Sequence, residues 1–243
     1  MMIKAILFDF DGVVVPIDAE IKRRMKQAII DKLSASAMMT KAQARKRVER
    51  ALTESEYDEE YFKLQDAAIK VGSHDARTIN SLFHALSRRR LPSIQKKIVE
   101  MLCNLRKRAI TLGIVTLSSN ERIEQILKNV GIREYFCFVE SAAEREFQKD
   151  SRSEWKKHAY KNFLSKYSLQ GCDVLCVGDS FSIDLQPAID LGMQTALIVN
   201  NCQGEIQQQQ GNLANYTLPR TILPSILMTL SKTNKEVTSG ARH

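Results

Sequence analysis

No apolar stretch in this chain reaches the roughly 18 residues of a membrane-spanning helix. The N-terminal apolar run is cut by Asp9 before any small-residue cleavage site. We therefore expect no membrane span, no export signal and a cytoplasmic location. The five cysteines, Cys103, Cys137, Cys172, Cys176 and Cys202, are odd in number and have no Cys-x-x-Cys spacing. That argues against both a disulfide framework and a zinc site. Cys137 and Cys176 stand in apolar, strand-like runs and read as ordinary buried hydrophobes. Internal repeats are also absent.

What is present suits a globular protein. The chain has 243 residues, 44% of them hydrophobic, enough for a substantial core in one large domain or two modest ones. The net charge of +8 is unevenly spread: between Ile21 and Arg108, 21 Lys+Arg face 10 Asp+Glu, a surplus of 11, so the remainder is slightly acidic. A positive surface draws phosphates and nucleic acid alike.

From Ala19 to about Arg108 the apolar periodicity is helical throughout. Thr40-x-x-Gln43 resembles a capping box, Glu56 to Lys70 reads as a second helix, Gly72-Ser73 breaks and recaps the chain, and Pro92 suits a helix start. Beyond Arg108, short apolar strands alternate with helices: Ile110 to Val115, Phe136 to Val139, Val174 to Val177 and Thr195 to Val199. Another apolar run, Ile3 to Phe8, precedes the helical block. This order predicts a Rossmann-like three-layer α/β sandwich with a parallel sheet, formed by residues 1–15 and 109–231, with an all-helical domain, 16–108, inserted into it. Gln203 to Gly211 reads as a solvated loop and residues 232–243 as a disordered tail.

Chemistry gathers at the ends of these strands. Asp9 and Asp11 follow the first one directly, where ligands of parallel sheets bind. Two such close carboxylates need a cation or a shared proton, although Asp-x-Asp-Gly by itself also suits a plain turn. At the next strand end, Thr116 offers a hydroxyl to an anion beside the start of a helix, while Ser118 or Ser119 suits an N-cap. Asp173 to Asp184 repeats the opening device: an apolar strand delivers Asp179, and Asp184 follows five residues later. If the strands are neighbours, four acids share one rim, and all-oxygen ligation there favours Mg²⁺. Trp155, Tyr160 and Phe163 at helical spacings read as core, and His74 and Asp75 receive no role.

These motifs, taken in order, resemble the haloacid dehalogenase-like (HAD) hydrolase superfamily over nearly the whole chain. Asp9-Phe-Asp11-Gly12-Val13-Val14 matches the first family motif, Thr116 the second, and Gly178-Asp179-Ser180-x-x-x-Asp184 the fourth. The third is a lysine, for which Lys149, Lys156 and Lys157 are the choices. Lys149 is preferred because Ser151-x-x-Glu154 looks like a capping box that would leave it in a loop, whereas Lys156 and Lys157 would lie inside the helix and face solvent.

The resemblance implies a Mg²⁺-dependent phosphomonoester hydrolase acting on a small phosphorylated metabolite, with the inserted helices as a substrate-selecting cap. In that reading Asp9 is the nucleophile that becomes an aspartyl-phosphate and Asp11 the general acid and base. Asp9, Asp11 through its carbonyl, Asp179 and Asp184 serve the metal, and Gly12, Thr116, Ser118 and Lys149 line the substrate. Asp11 disfavours a dehalogenase, which has no leaving alcohol to protonate. A phosphomutase of the same fold remains an alternative. So does a non-catalytic protein that binds nucleic acid through its basic helices, as motivated by Lys22-Arg23-Arg24, Arg45-Lys46-Arg47 and Arg88-Arg89-Arg90. A phosphoacceptor signalling domain fits the long insertion poorly.

Overall fold

The computed structural model describes residues 3–16, 19–55, 60–88, 94, 96–142, 149–199 and 214–219. The glutamine-rich segment, the C-terminal tail and Pro92 lie outside them. The chain divides into two compact units, one of residues 1–16 with 93–243 and the other of residues 17–92.

The larger unit is built on a six-stranded parallel sheet in the order β3-β2-β1-β4-β5-β6. Its strands are β1 (Ala5–Phe8), β2 (Thr111–Thr116), β3 (Phe138–Ser141), β4 (Val174–Gly178), β5 (Gln194–Val199) and β6 (Tyr216–Pro219). Side chains alternate across each strand, and the two faces meet different cores. Ile6 and Phe8 pack with Ile114, Val177 and Ile198, beneath α5 (Lys96–Lys107) and α6 (Asn120–Asn129). Ala5 and Leu7 pack with Val115, Cys176 and Leu197, beneath α7 (Lys149–Tyr167) and α8 (Gln186–Ile189). This is the expected three-layer sandwich. Burial on both faces explains why β1 and β4 read as unbroken apolar runs.

The smaller unit is all helical: α1 (Ala19–Ser36), α2 (Lys41–Thr53), α3 (Glu60–Lys70) and α4 (Ala76–Arg88). Ile21, Met25, Ile29 and Leu33 of α1 meet Val48, Ala67, Ile79 and Phe83 in one core. The Thr40 capping box forms as read, with the Gln43 N–H donating to Thr40 Oγ1 at 3.2 Å and the Thr40 N–H donating to Gln43 Oε1 at 2.9 Å.

Three details depart from the sequence reading. Helix α5, assigned there to the insertion, packs Ile98, Met101, Leu102 and Leu105 into the α/β core. Periodicity reveals an apolar face but not which core it meets. Strand β6 was not anticipated: it is four residues long, ends in a proline that an edge strand tolerates, and pairs only with β5. Cys137 is exposed beside edge strand β3, whereas Cys176 is buried as expected.

The placement of α5 is testable. Leu102 is 0% exposed, so Leu102→Ala is expected to lower the unfolding free energy of the α/β unit by about 2–5 kcal/mol. Urea denaturation monitored separately in each unit checks this, and a loss confined to the helical unit would contradict the assignment.

Candidate active site

Strands β1, β2 and β4 are adjacent and parallel, so their carboxyl ends form one rim. Asp9 follows β1, Thr116 closes β2 and Asp179 follows β4. The backbone N–H of Asp9 donates to the Val177 carbonyl at 2.8 Å, continuing the β1–β4 ladder and fixing where its side chain emerges.

Asp184 arrives by a different device. A π-helical turn over Phe181–Leu185, capped by Ser180 Oγ accepting from the Ile183 N–H, folds the chain back over the end of β4. The Ser180 N–H then donates to Asp184 Oδ2 at 3.1 Å. Gly178 makes this return feasible, because a Cβ there would lie 2.4 Å from the Asp184 Cβ. Gly12 acts similarly: it has φ +89°, and a Cβ would lie 1.9 Å from Asp179 Oδ2. The role of Gly12 seen here is therefore to make room for a carboxylate.

Asp9, Asp179 and Asp184 each present a carboxylate oxygen, and the three lie within 4.8 Å of one another. All-oxygen donors at this spacing suit a hard divalent cation, and the two side-chain-free positions leave the carboxylates room to converge. The side chain of Asp11, whose carbonyl rather than carboxylate was expected at the metal, is engaged elsewhere. Its Oδ1 accepts from Arg122 Nη2 and its Oδ2 from Arg122 Nη1, both at 2.7 Å. Ser118 Oγ also donates to Oδ2.

The ammonium group at the rim belongs to Lys156. Its side chain is 1% exposed, and Nζ donates to Asp9 Oδ1 at 2.7 Å and the Val115 carbonyl at 2.8 Å, and lies 2.7 Å from Asp184 Oδ1. Lys149, preferred from the sequence, is not in a loop: it is the first residue of α7, and Ser151 is already inside the helix. Its side chain lies outside the described residues. Lys157 pairs with Asp190 at 2.7 Å. The signal for Lys156 was available, since Lys156, Tyr160 and Phe163 share the i, i+4, i+7 stripe of α7, and both aromatics are buried.

Burial pushes the Asp9 carboxyl up to about 7, with Lys156 pulling it down and Asp184 adding to the rise. Burial also opposes the charge on Lys156, but Asp184 and Asp9 outweigh it, and the ammonium is held above its ordinary 10.5. Thr116, 2% exposed, closes β2 as expected. Its Oγ1 accepts from the Ser118 N–H at 3.2 Å. Ser119 occupies the N-cap of α6 without a side-chain bond, so the alternative reading of these serines as simple caps accounts for neither of them fully. Arg122 was not anticipated. It lies on α6 four residues beyond Ser118, with its guanidinium 5.9 Å from the Phe10 ring centroid.

The haloacid dehalogenase-like hydrolase family model matches residues 3–192. Among solved structures, the chain resembles a HAD phosphatase from Thermococcus onnurineus at 24% identity, covering 93% of this chain and 98% of that one with a TM-score of 0.60. A candidate β-phosphoglucomutase from Thermotoga maritima matches at 15% identity, 93% and 99% coverage and TM-score 0.63. The L-2-haloacid dehalogenase RSc1362 matches at 15%, 94% and 100%, with TM-score 0.56. These likenesses establish the fold. No curated protein matches the sequence.

Removing the Lys156 charge leaves two buried carboxylates facing each other. Lys156→Met is expected to cost about 3–5 kcal/mol of stability at pH 8, measured by chemical denaturation without added metal. Asp9 has a folded pKa raised from 3.8 to about 7, so its ionisation costs stability as pH rises across that window. The variant's deficit is therefore expected to shrink at pH 5, and a pH-independent deficit would contradict the pairing.

Proposed function

The chain belongs to the haloacid dehalogenase-like hydrolase family, and from that premise we propose that it is a Mg²⁺-dependent phosphomonoester hydrolase acting on a small phosphorylated metabolite. The carrying observation is the gathering of Asp9, Asp179 and Asp184 within 4.8 Å beside Lys156, at the rim that also holds Thr116 and Asp11. Asp9, Asp179, Asp184 and the Asp11 carbonyl would hold the ion. Bound there, Mg²⁺ supplies positive charge to the phosphoryl oxygens and aligns them with the nucleophile.

The protein's own groups divide the remaining work. Lys156 holds Asp9 Oδ1 at 2.7 Å, which leaves Oδ2 to attack phosphorus. As the new P–O bond forms, the ester P–O bond breaks, and Asp11 donates a proton to the departing alcohol. Water then attacks the aspartyl-phosphate, Asp11 takes its proton, and the bond between phosphorus and Asp9 breaks to release inorganic phosphate. Thr116 is proposed to donate its hydroxyl to a transferring oxygen. Lys156 stabilises charge mainly through the carboxylates it touches, because its three protons face Asp9, Asp184 and the Val115 carbonyl. Such preorganised charge is the principal resource for phosphoryl transfer.

A carboxylate at Asp11 favours an ester substrate over a halide, as a departing alkoxide needs a proton and a halide does not. The helical unit of residues 17–92 is proposed to be the substrate-selecting insertion. Part of its positive charge is matched within its own helices: Arg23 and Arg24 both pair with Glu20, Lys41 with Asp31 and Arg50 with Glu54. No helix among the described residues is long and apolar enough to cross a membrane.

Mg²⁺-dependent release of p-nitrophenol from p-nitrophenyl phosphate is expected, abolished by EDTA and restored by added Mg²⁺. Asp9→Asn is expected to lower turnover by roughly a thousandfold or more. EDTA-insensitive turnover would overturn the mechanism. Against a panel of sugar phosphates, free phosphate rather than an isomeric sugar phosphate is the expected product, which separates a hydrolase from a mutase.

A further inference from the structure

The proposed mechanism asks Asp11 to give up and take a proton at a defined place, yet the turn after β1 alone does not fix its carboxylate. The backbone of that turn is tied, with the Gly12 N–H donating to the Val15 carbonyl at 2.7 Å and the Val15 N–H donating to the Phe10 carbonyl at 2.9 Å. Those bonds leave the side-chain torsions open. Ser118 of the β2–α6 connection and Arg122 of α6 close them. Arg122 forks onto both carboxylate oxygens at 2.7 Å, and the same Nη1 donates to Ser118 Oγ at 2.8 Å. Ser118 Oγ in turn donates to Asp11 Oδ2. A planar fork onto a carboxylate sets orientation as well as attraction, which a lysine cannot reproduce.

We propose that Arg122 and Ser118 are positioning residues for Asp11, and that they designate Oδ1 as its proton-transfer atom. The inference rests on the hydrolase reading above. A carboxylate oxygen has two lone-pair positions. Among the described residues, both positions on Oδ2 are occupied, by Ser118 Oγ and Arg122 Nη1. Among the described residues, Oδ1 accepts only Arg122 Nη2, so one lone pair there remains for the proton passing to the leaving alcohol and later from water. Arg122 is itself anchored: its side chain is 11% exposed, and it stands over the Phe10 ring. The segment after Thr116 thus performs two jobs, Thr116 facing the phosphoryl group and Ser118 with Arg122 aiming the acid.

The test uses the sensitivity of acid catalysis to the leaving group. Phenyl phosphate and p-nitrophenyl phosphate have similar shapes, but phenoxide is the more basic leaving group and depends more on a proton donor. kcat/KM reports the first phosphoryl transfer. Arg122→Met and Ser118→Ala are each expected to lower kcat/KM for phenyl phosphate about tenfold more than for p-nitrophenyl phosphate, in line with misplacement of a general acid. Arg122→Lys is expected to recover only part of that difference. In an Asp11→Asn background, Arg122→Met should leave the ratio of the two substrates unchanged, because its effect runs through Asp11. Equal losses on both substrates, or a ratio that still changes without Asp11, would overturn the inference. Should Arg122→Met fail to fold, Ser118→Ala decides by the same criterion. A wild-type protein that hydrolyses neither compound would instead defeat the hydrolase reading.

Discussion

One buried ammonium organises the catalytic rim. Lys156 touches Asp9, Asp184 and a main-chain carbonyl, and the protons on Nζ are matched one for one by these acceptors. A charge in that position is tolerable only when fully paired, and the carboxylates are tolerable for the same reason. The three groups are therefore mutually dependent. Asp9 must stand at the end of β1, Asp184 must be carried back by its π turn, and α7 must present its lysine inward, or each becomes an isolated buried charge. Tyr160, one turn along α7, reinforces the arrangement from below by donating its hydroxyl to the Asp184 carbonyl at 3.2 Å.

The sheet order explains why such distant segments meet. With β1 between β2 and β4, the three connections leaving their carboxyl ends have no alternative but to share one rim. The strand order also reverses direction there, the place where open α/β sheets form a crevice. The glycines matter for the same geometric reason. Gly12 and Gly178 stand where a methyl group would occupy the space of Asp179 and Asp184 respectively. Their role is to omit volume so that carboxylates can approach.

Most of this was legible in the sequence where a local pattern has a single structural meaning. An apolar run ending in aspartate marks a buried parallel strand with a carboxylate at its rim, and it identified both Asp9 and Asp179. The Thr40 box gave a helix start in the same way. Legibility failed where the meaning depended on what lay opposite. The apolar face of α5 is evident, but only the fold shows that it meets Ile6 and Ile114. Lys156 resembled a solvated helical lysine because charge usually marks the outer face, although its spacing to Tyr160 and Phe163 placed it on the inner stripe. Arg122 carried no strand-end signal, since its partner Asp11 lies far away in the chain and is brought close only by the pairing of β1 with β2.

The two cations also settle the electrostatic character of the site. Formally, among the described side chains named here, Asp9, Asp11, Asp179 and Asp184 contribute four negative charges, and Lys156 and Arg122 contribute two positive ones. The excess of two negative charges equals the charge of one divalent ion. Burial pushes the Asp9 carboxyl up to about 7, against the pull of Lys156 and with Asp184 adding to the rise. In the proposed function, an ion held there would favour the ionised, nucleophilic form of Asp9, and a dianionic phosphate would meet a balanced rim instead of a repulsive one. Lys156 and Arg122 are segregated rather than pooled: one is committed to Asp9 and Asp184 and the other to Asp11. That separation gives two aspartates of identical chemistry, two residues apart, different surroundings, which is what the proposed division of labour requires.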